Sequence, residues 1–95
     1  MPASTVVIRN RSGLHARPAA TFVKAAAGYR SEVRLTNLSR DAARSASAKS
    51  ILGVMQLGIA QGHEVRIETS GDDADRALDA LVALVASGVG EPLSS

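Results

Sequence analysis

Apolar and polar residues alternate in three short stretches of this chain. Over Thr5 to Arg9, Val6 and Ile8 fall on one face and Thr5, Val7 and Arg9 on the other. Over Glu32 to Thr36, Val33 and Leu35 point one way while Glu32 and Arg34 point the other, and over Glu64 to Thr69 the inward pair is Val65 and Ile67 against Glu64, Arg66 and Glu68. A period of two predicts strands. One polar face on each predicts a sheet covered on one side only, which favours antiparallel pairing. Between them the period changes. Ala16 to Ala27 reads as an alanine-rich helix, with Pro18, Phe22, Ala25, Ala26 and Tyr29 toward the core and a left-handed stop at Gly28. Asp72 to Ser87 carries the broadest apolar stripe (Ala77, Leu78, Leu81, Val82, Leu84, Val85), with Asp72, Asp73 and Asp75 at its positive end and Gly88 after it. Ser50 to Leu57 predicts a short helix closed by Gly58 or by the Gln61-Gly62 turn. Asn37 to Lys49 predicts a hairpin turn and a fourth strand near Ala43 to Ser47, although its alanines and serines are poor strand formers. The order is βαββαβα, a two-layer α+β arrangement with one sheet under helices.

The candidate chemistry lies where the first helix begins, in Gly13-Leu14-His15-Ala16-Arg17-Pro18-Ala19-Ala20. Proline is tolerated in the first turn of a helix, where its missing N–H has no partner to lose. That places His15 just ahead of the helix, where unpaired N–H groups and the positive end of the backbone dipole converge. Helix starts of this kind hold phosphate. Arg17 adds a planar charged fork suited to phosphate oxygens. The ring must start neutral to attack. The N–H groups of Ala16 and Arg17 are placed to hold the charge after transfer, and Ser12 offers a hydroxyl to the ring or phosphate. Gly13 supplies the sharp turn that lets His15 project. The arrangement predicts a histidine that carries a phosphoryl group.

Composition narrows the classes. The 95 residues suit one domain, residues 1–95, with about 1–3 and 90–95 expected to be flexible, the latter as a frayed tail. Phe22 and Tyr29 are the only aromatic residues, which argues against base-stacking nucleic-acid modules. A net charge of +2 is too mild to imply nucleic acid, and the basic residues are dispersed apart from Arg9, Arg11, His15 and Arg17. Without cysteine there are no disulfides or thiolate metal sites. No metal-ligand cluster, Walker loop or nucleophilic triad is present, and no cofactor is expected. No signal-peptide pattern and no bilayer-length apolar run occur, so a cytoplasmic protein with no membrane insertion, and a monomer, is expected. His63, in a turn before a strand, reads as exposed. Glu64, Arg66 and Glu68 read as a solvated face rather than a carboxylate pair.

The run from Gly13 to Ala19, together with Ala48-Lys49-Ser50-Ile51-Leu52-Gly53-Val54-Met55-Gln56-Leu57-Gly58 and the following Ile59-Ala60-Gln61-Gly62, resembles HPr. HPr is the histidine-containing phosphocarrier of the phosphoenolpyruvate-dependent sugar phosphotransferase system. The resemblance covers essentially the whole chain. It implies an open-faced sandwich, with a four-stranded antiparallel sheet in the order 1-4-2-3 and three helices on one face. It implies that His15 takes phosphate on Nδ1 from phosphorylated enzyme I and passes it to IIA domains of sugar permeases. It implies that Ser50 matches a regulatory serine, phosphorylated in many systems by an HPr kinase/phosphorylase, which recruits a catabolite-control transcription factor. Two departures stand out. Ser47 sits where the family often has Asn, and Asn37 to Ala46 is longer than the usual hairpin, which predicts a bulge at the sheet end.

Beside Ser50, the residues Ile51, Leu52 and Met55 predict an apolar partner-binding patch, joined by Lys49 and by Ala20, Val23 and Lys24 of the first helix. Exposed apolar groups with a flexible Met suit a surface that docks several partners. The same residues at helical spacing also fit a short helix's core face, and Ser50 fits an ordinary helix cap. Besides the sugar phosphocarrier, two readings stay open. One is a relative serving a nitrogen-related phosphotransfer chain or acting mainly through phosphoserine. The other is a plain interaction domain using the Ile51-Leu52-Met55 patch.

Overall fold

The computed structural model describes residues 2–91. Its elements are β1 (Ala3–Val7), α1 (Ala16–Ala27), β2 (Glu32–Asn37), β3 (Ser45–Ser47), α2 (Ile51–Gln56), β4 (Glu64–Ser70) and α3 (Ala74–Ala86). The four strands form one antiparallel sheet in the order β1-β4-β2-β3, with the helices on one face, as expected. The register explains the alternation seen in the sequence. Val6 pairs with Val65 and Leu35 with Ile67, so the branched residues line up on the covered face. Val33, Leu35, Val65 and Ile67 have no exposed surface, and Phe22, Ala19 and Ala26 of α1 and Leu81 and Val85 of α3 close over them. The open face carries the charges. Arg66 Nε meets Glu68 Oε1 at 3.2 Å and Arg34 Nη1 meets Glu32 Oε1 at 3.7 Å.

Several local expectations are corrected. Gly28 is right-handed (φ −74°, ψ −7°). α1 ends instead by tightening its last turn, with Gly28 N–H donating to Ala25 O and Tyr29 N–H to Ala26 O, both at 3.2 Å. β1 starts two residues earlier than the alternation suggests, because Ala3 pairs with Glu68 and the Thr69 N–H donates to Pro2 O (3.0 Å). Pro2 and Ala3 are therefore tied to the sheet. The tail reading of 90–95 fails at its start: Gly88, Val89 and Gly90 all have positive φ (94°, 51°, 84°) and curl the chain back, so that Glu91 is hydrogen-bonded to the loop before α1. The rest of that segment lies outside the described residues. β3 is three residues long, shorter than Ala43 to Ser47. His63 is half-buried rather than exposed. Its Nδ1 accepts from Ala60 N–H and from Asn37 Nδ2, each at 3.1 Å, which puts the ring proton on Nε2.

The acidic start of α3 is also used differently from the expectation. The Asp73 carboxylate does not cap its own helix. It accepts from the N–H groups of Arg30 and Ser31, each at 2.9 Å, and from the Ser31 hydroxyl. This clamps the end of the α1–β2 connection to the start of α3. The Ser31 hydroxyl, and then the Arg30 N–H, hold the Asp73 pKa at about 2, below its usual 3.8. A carboxylate with a depressed folded pKa contributes stability that is full above the unfolded value and is lost as pH falls through the folded one. The melting temperature is therefore expected to drop between pH about 4 and about 2. Asp73→Asn should melt lower at neutral pH and respond less over that acidic window. Circular-dichroism melts of both proteins across pH 2–7 check this, and parallel curves would remove Asp73 from the account.

Candidate functional site

The loop between β1 and α1 is shaped by Gly13. Its φ is +59°, and a Cβ there would collide with the Ile59 carbonyl and lie 2.8 Å from Ala60 Cα. The loop thus lies directly on the backbone that follows α2, and Leu14 N–H donates to Ile59 O at 3.0 Å. Leu14 is fully buried there. Its neighbour His15 is exposed in an extended conformation (φ −110°, ψ 154°) at the N-cap of α1, and its ring makes no capping hydrogen bond. Ala16 follows at φ +47°, a left-handed value that costs a residue with a Cβ about 1–2 kcal/mol. Among the described residues nothing accepts the Ala16 or Arg17 N–H. His15, Ala16 and Arg17 are all exposed, so two free donors, a cationic fork and an imidazole share one open helix start.

Opposite them stands a residue that the sequence reading missed. The Glu91 carboxylate accepts from Asn10 Nδ2 (2.9 Å), from Ser12 Oγ (2.9 Å) and, more weakly, from Ser12 N–H (3.4 Å). These bonds, Asn10's foremost, hold its pKa below the usual carboxylate range, and attraction to Arg17 adds to the effect. The hydroxyl proton of Ser12 is thus committed to Glu91. Asn10 is fully buried and also donates to Gly13 O at 2.8 Å, so one amide ties the tail to the glycine turn. The only sequence signal was the Gly88-Val89-Gly90 run, which permits the backward curl.

The second motif forms α2. Ser50 is its N-cap, exposed, with Oγ accepting from Gly53 N–H at 3.1 Å. Ser47 Oγ accepts from Lys49 N–H at 3.2 Å, a short side-chain turn of the kind an Asn would also make. Lys49 Nζ donates to Tyr29 O (2.8 Å), just beyond α1. Since the start of α1 is bonded to the segment after α2, the two helices lie side by side in opposite directions. Ile51, Leu52 and Met55 are 44%, 66% and 40% exposed, so they are not core residues of the short helix. Ala20 and Lys24 are exposed and Val23 half-buried on the adjoining α1. The described residues contain no group of three or more His, Asp or Glu arranged for a metal, and no helix long and apolar enough to cross a membrane.

Residues 3–87 match the family described as the PTS HPr component phosphorylation site. The chain belongs to the HPr family. Its phosphocarrier relatives include the phosphocarrier protein HPr of Cupriavidus necator, 44% identical over 84 residues that make up 88% of this chain and 90% of that one. HPr-C-His from Thermoanaerobacter tengcongensis has a similar structure, with a TM-score of 0.89, 42% identity and coverage of 98% of this chain and 100% of that one. The multiphosphoryl transfer protein of Haemophilus influenzae is 40% identical over 91 residues, 96% of this chain but 18% of that protein. The HPr unit thus spans only about a fifth of such longer relatives.

The geometry around Gly13 carries its own test. Gly13→Ala forces a left-handed Cβ into the Ile59–Ala60 backbone, and we expect it to destabilise the fold by about 2 kcal/mol or more. Urea unfolding would measure this, and it should be accompanied by faster hydrogen exchange at the Leu14 amide. A variant as stable as the parent would show that the close approach is dispensable.

Proposed function

We propose that His15 accepts a phosphoryl group from phosphorylated enzyme I and passes it to IIA domains of sugar permeases. The observation carrying this reading is the exposed His15 next to the free N–H groups of Ala16 and Arg17, inside the segment matched by the phosphorylation-site family. In the forward step the Nδ1 lone pair attacks phosphorus, and the bond from phosphorus to the donor atom of enzyme I breaks with its electron pair. The displaced atom stays with enzyme I, and the phosphoryl group leaves His15 by the reverse bond exchange. Such a transfer has a loose, nearly in-line transition state, so positioning and charge matter most. The Ala16 and Arg17 amides and the Arg17 guanidinium supply both. Phosphate on the ring brings a second anion beside Glu91, which already occupies Ser12. Arg17 is the cation that also acts on Glu91.

Regulation through Ser50 fits the same surface. A phosphate there sits beside the exposed Ile51 and Leu52, where it repels an acidic partner and attracts an arginine-bearing one. HPr kinase/phosphorylase and a catabolite-control transcription factor are the corresponding partners. Service of a nitrogen-related branch rests on which IIA domain takes the phosphate, and is read out in the same assay.

With phosphoenolpyruvate and enzyme I, the protein should gain one acid-labile, base-stable phosphate, and His15→Ala should gain none. Labelling that persists in His15→Ala would reject the site. Arg17→Gln should slow phosphorylation about tenfold or more, the loss of one charge-assisted contact of roughly 1.5–3 kcal/mol. Ser50→Asp should slow it several-fold without lowering the melting temperature. An unchanged rate would remove the regulatory role while leaving the carrier role standing.

A further inference from the structure

The long connection between β2 and β3 is not a loose bulge. Asn37 O accepts from the N–H groups of Arg40 (3.2 Å) and Asp41 (3.0 Å), Asp41 O accepts from Arg44 N–H (3.2 Å), and Asp41 Oδ1 caps Ala43 N–H (3.1 Å). Buried Asn37 pins the loop to the end of α2 by donating to Leu57 O at 3.1 Å, and Ser39 Oγ accepts from Glu64 N–H at 2.8 Å. Between this loop and α2 opens a cavity of about 210 Å³, lined by Asn37, Arg40, Asp41, Arg44, Gln56 and Leu57.

Two cations, Arg40 and Arg44, share its lining with one anion, Asp41. Among the described residues, neither the Arg40 nor the Arg44 guanidinium has a hydrogen-bond or ion-pair partner. Asp41 spends one carboxylate oxygen on its own loop. Arg40 reaches its place because residue 58 is glycine. With φ +62°, Gly58 leaves open the space where a Cβ would overlap Arg40 Nη1 and lie 3.1 Å from Cζ. The guanidinium therefore lies over the backbone at the end of α2.

We propose that this cavity binds a small hydroxylated phosphate monoester. Two planar forks among the residues lining one cavity suit the oxygens of a phosphate dianion, each fork able to make paired N–H···O contacts. The remaining lining, the Asp41 carboxylate and the Gln56 amide, suits hydroxyl groups, which donate to the first and exchange bonds with the second. Bare phosphate satisfies only half of the site. The loop is held by its own hydrogen bonds, so binding orders little additional chain. The inference does not rest on the reading of His15, which is not among the residues lining this cavity.

The test is an NMR titration of the ¹⁵N-labelled full chain with ribose 5-phosphate, with inorganic phosphate and with ribose. We expect saturable shifts at residues 38–44 and 56–58 with ribose 5-phosphate, weaker ones with inorganic phosphate and none with ribose. Arg44→Gln and Arg40→Gln should each weaken binding at least tenfold while circular dichroism shows an unchanged fold. Arg44→Lys, which keeps charge but loses the fork, should recover less than half of the loss. Non-saturating shifts, shifts confined to residues 13–17, or full affinity in Arg44→Gln would each overturn the proposal. Equal affinity in Arg44→Lys would also overturn it, since general charge attraction would then suffice.

Discussion

The hydrogen bond from Leu14 N–H to the Ile59 carbonyl, 3.0 Å long and made possible by the missing side chain of Gly13, organises the working end of this molecule. It draws the loop after β1 onto the backbone after α2 and so joins the two motifs that the sequence keeps 28 residues apart, 20–47. It buries Leu14 and, because neighbouring side chains in extended backbone point opposite ways, turns His15 outward. The same contact fixes the mutual direction of α1 and α2, and with it the exposed surface that Ile51, Leu52 and Met55 share with α1.

Charge at the site is balanced by a carboxylate brought from the other end of the described chain. Glu91 takes bonds from Asn10 and Ser12 and feels Arg17, so the loop presents its cations against an anion already in place. A group arriving with further negative charge meets donors at Ala16 and Arg17 that have no partner to give up, whereas Ser12 would have to leave one. The amides of Ala16 and Arg17 are therefore free, and the Ser12 hydroxyl is occupied.

Much of this was legible in the sequence, for physical reasons that differ from element to element. β2 and β4 were visible because each has one wet face, and α3 because its apolar stripe is broad. His15 and Arg17 were visible because proline marks a helix start. β3 was hard to see because Ser45–Ser47 has little strand preference and exists through pairing with Arg34–Thr36. Gly28 misled because glycine allows a left-handed stop without requiring one. Glu91, Asp73 and His63 escaped for a common reason: each acts on residues distant in sequence, Asn10 and Ser12, Arg30 and Ser31, and Asn37 respectively, and no local pattern encodes such a meeting.

The strand order also governs how the chain can assemble. β4 is an interior strand with β1 on one side and β2 on the other, yet it is the last strand to appear. Val7 has no ladder partner until Glu64 exists, and Glu32 none until Ser70. A nascent chain emerging from the ribosome therefore holds at most the β2–β3 hairpin and isolated helices, neither of which persists alone in water. Folding must wait for β4 and then close the whole sheet across long chain separations in one cooperative event, at the slower pace that non-local topology imposes.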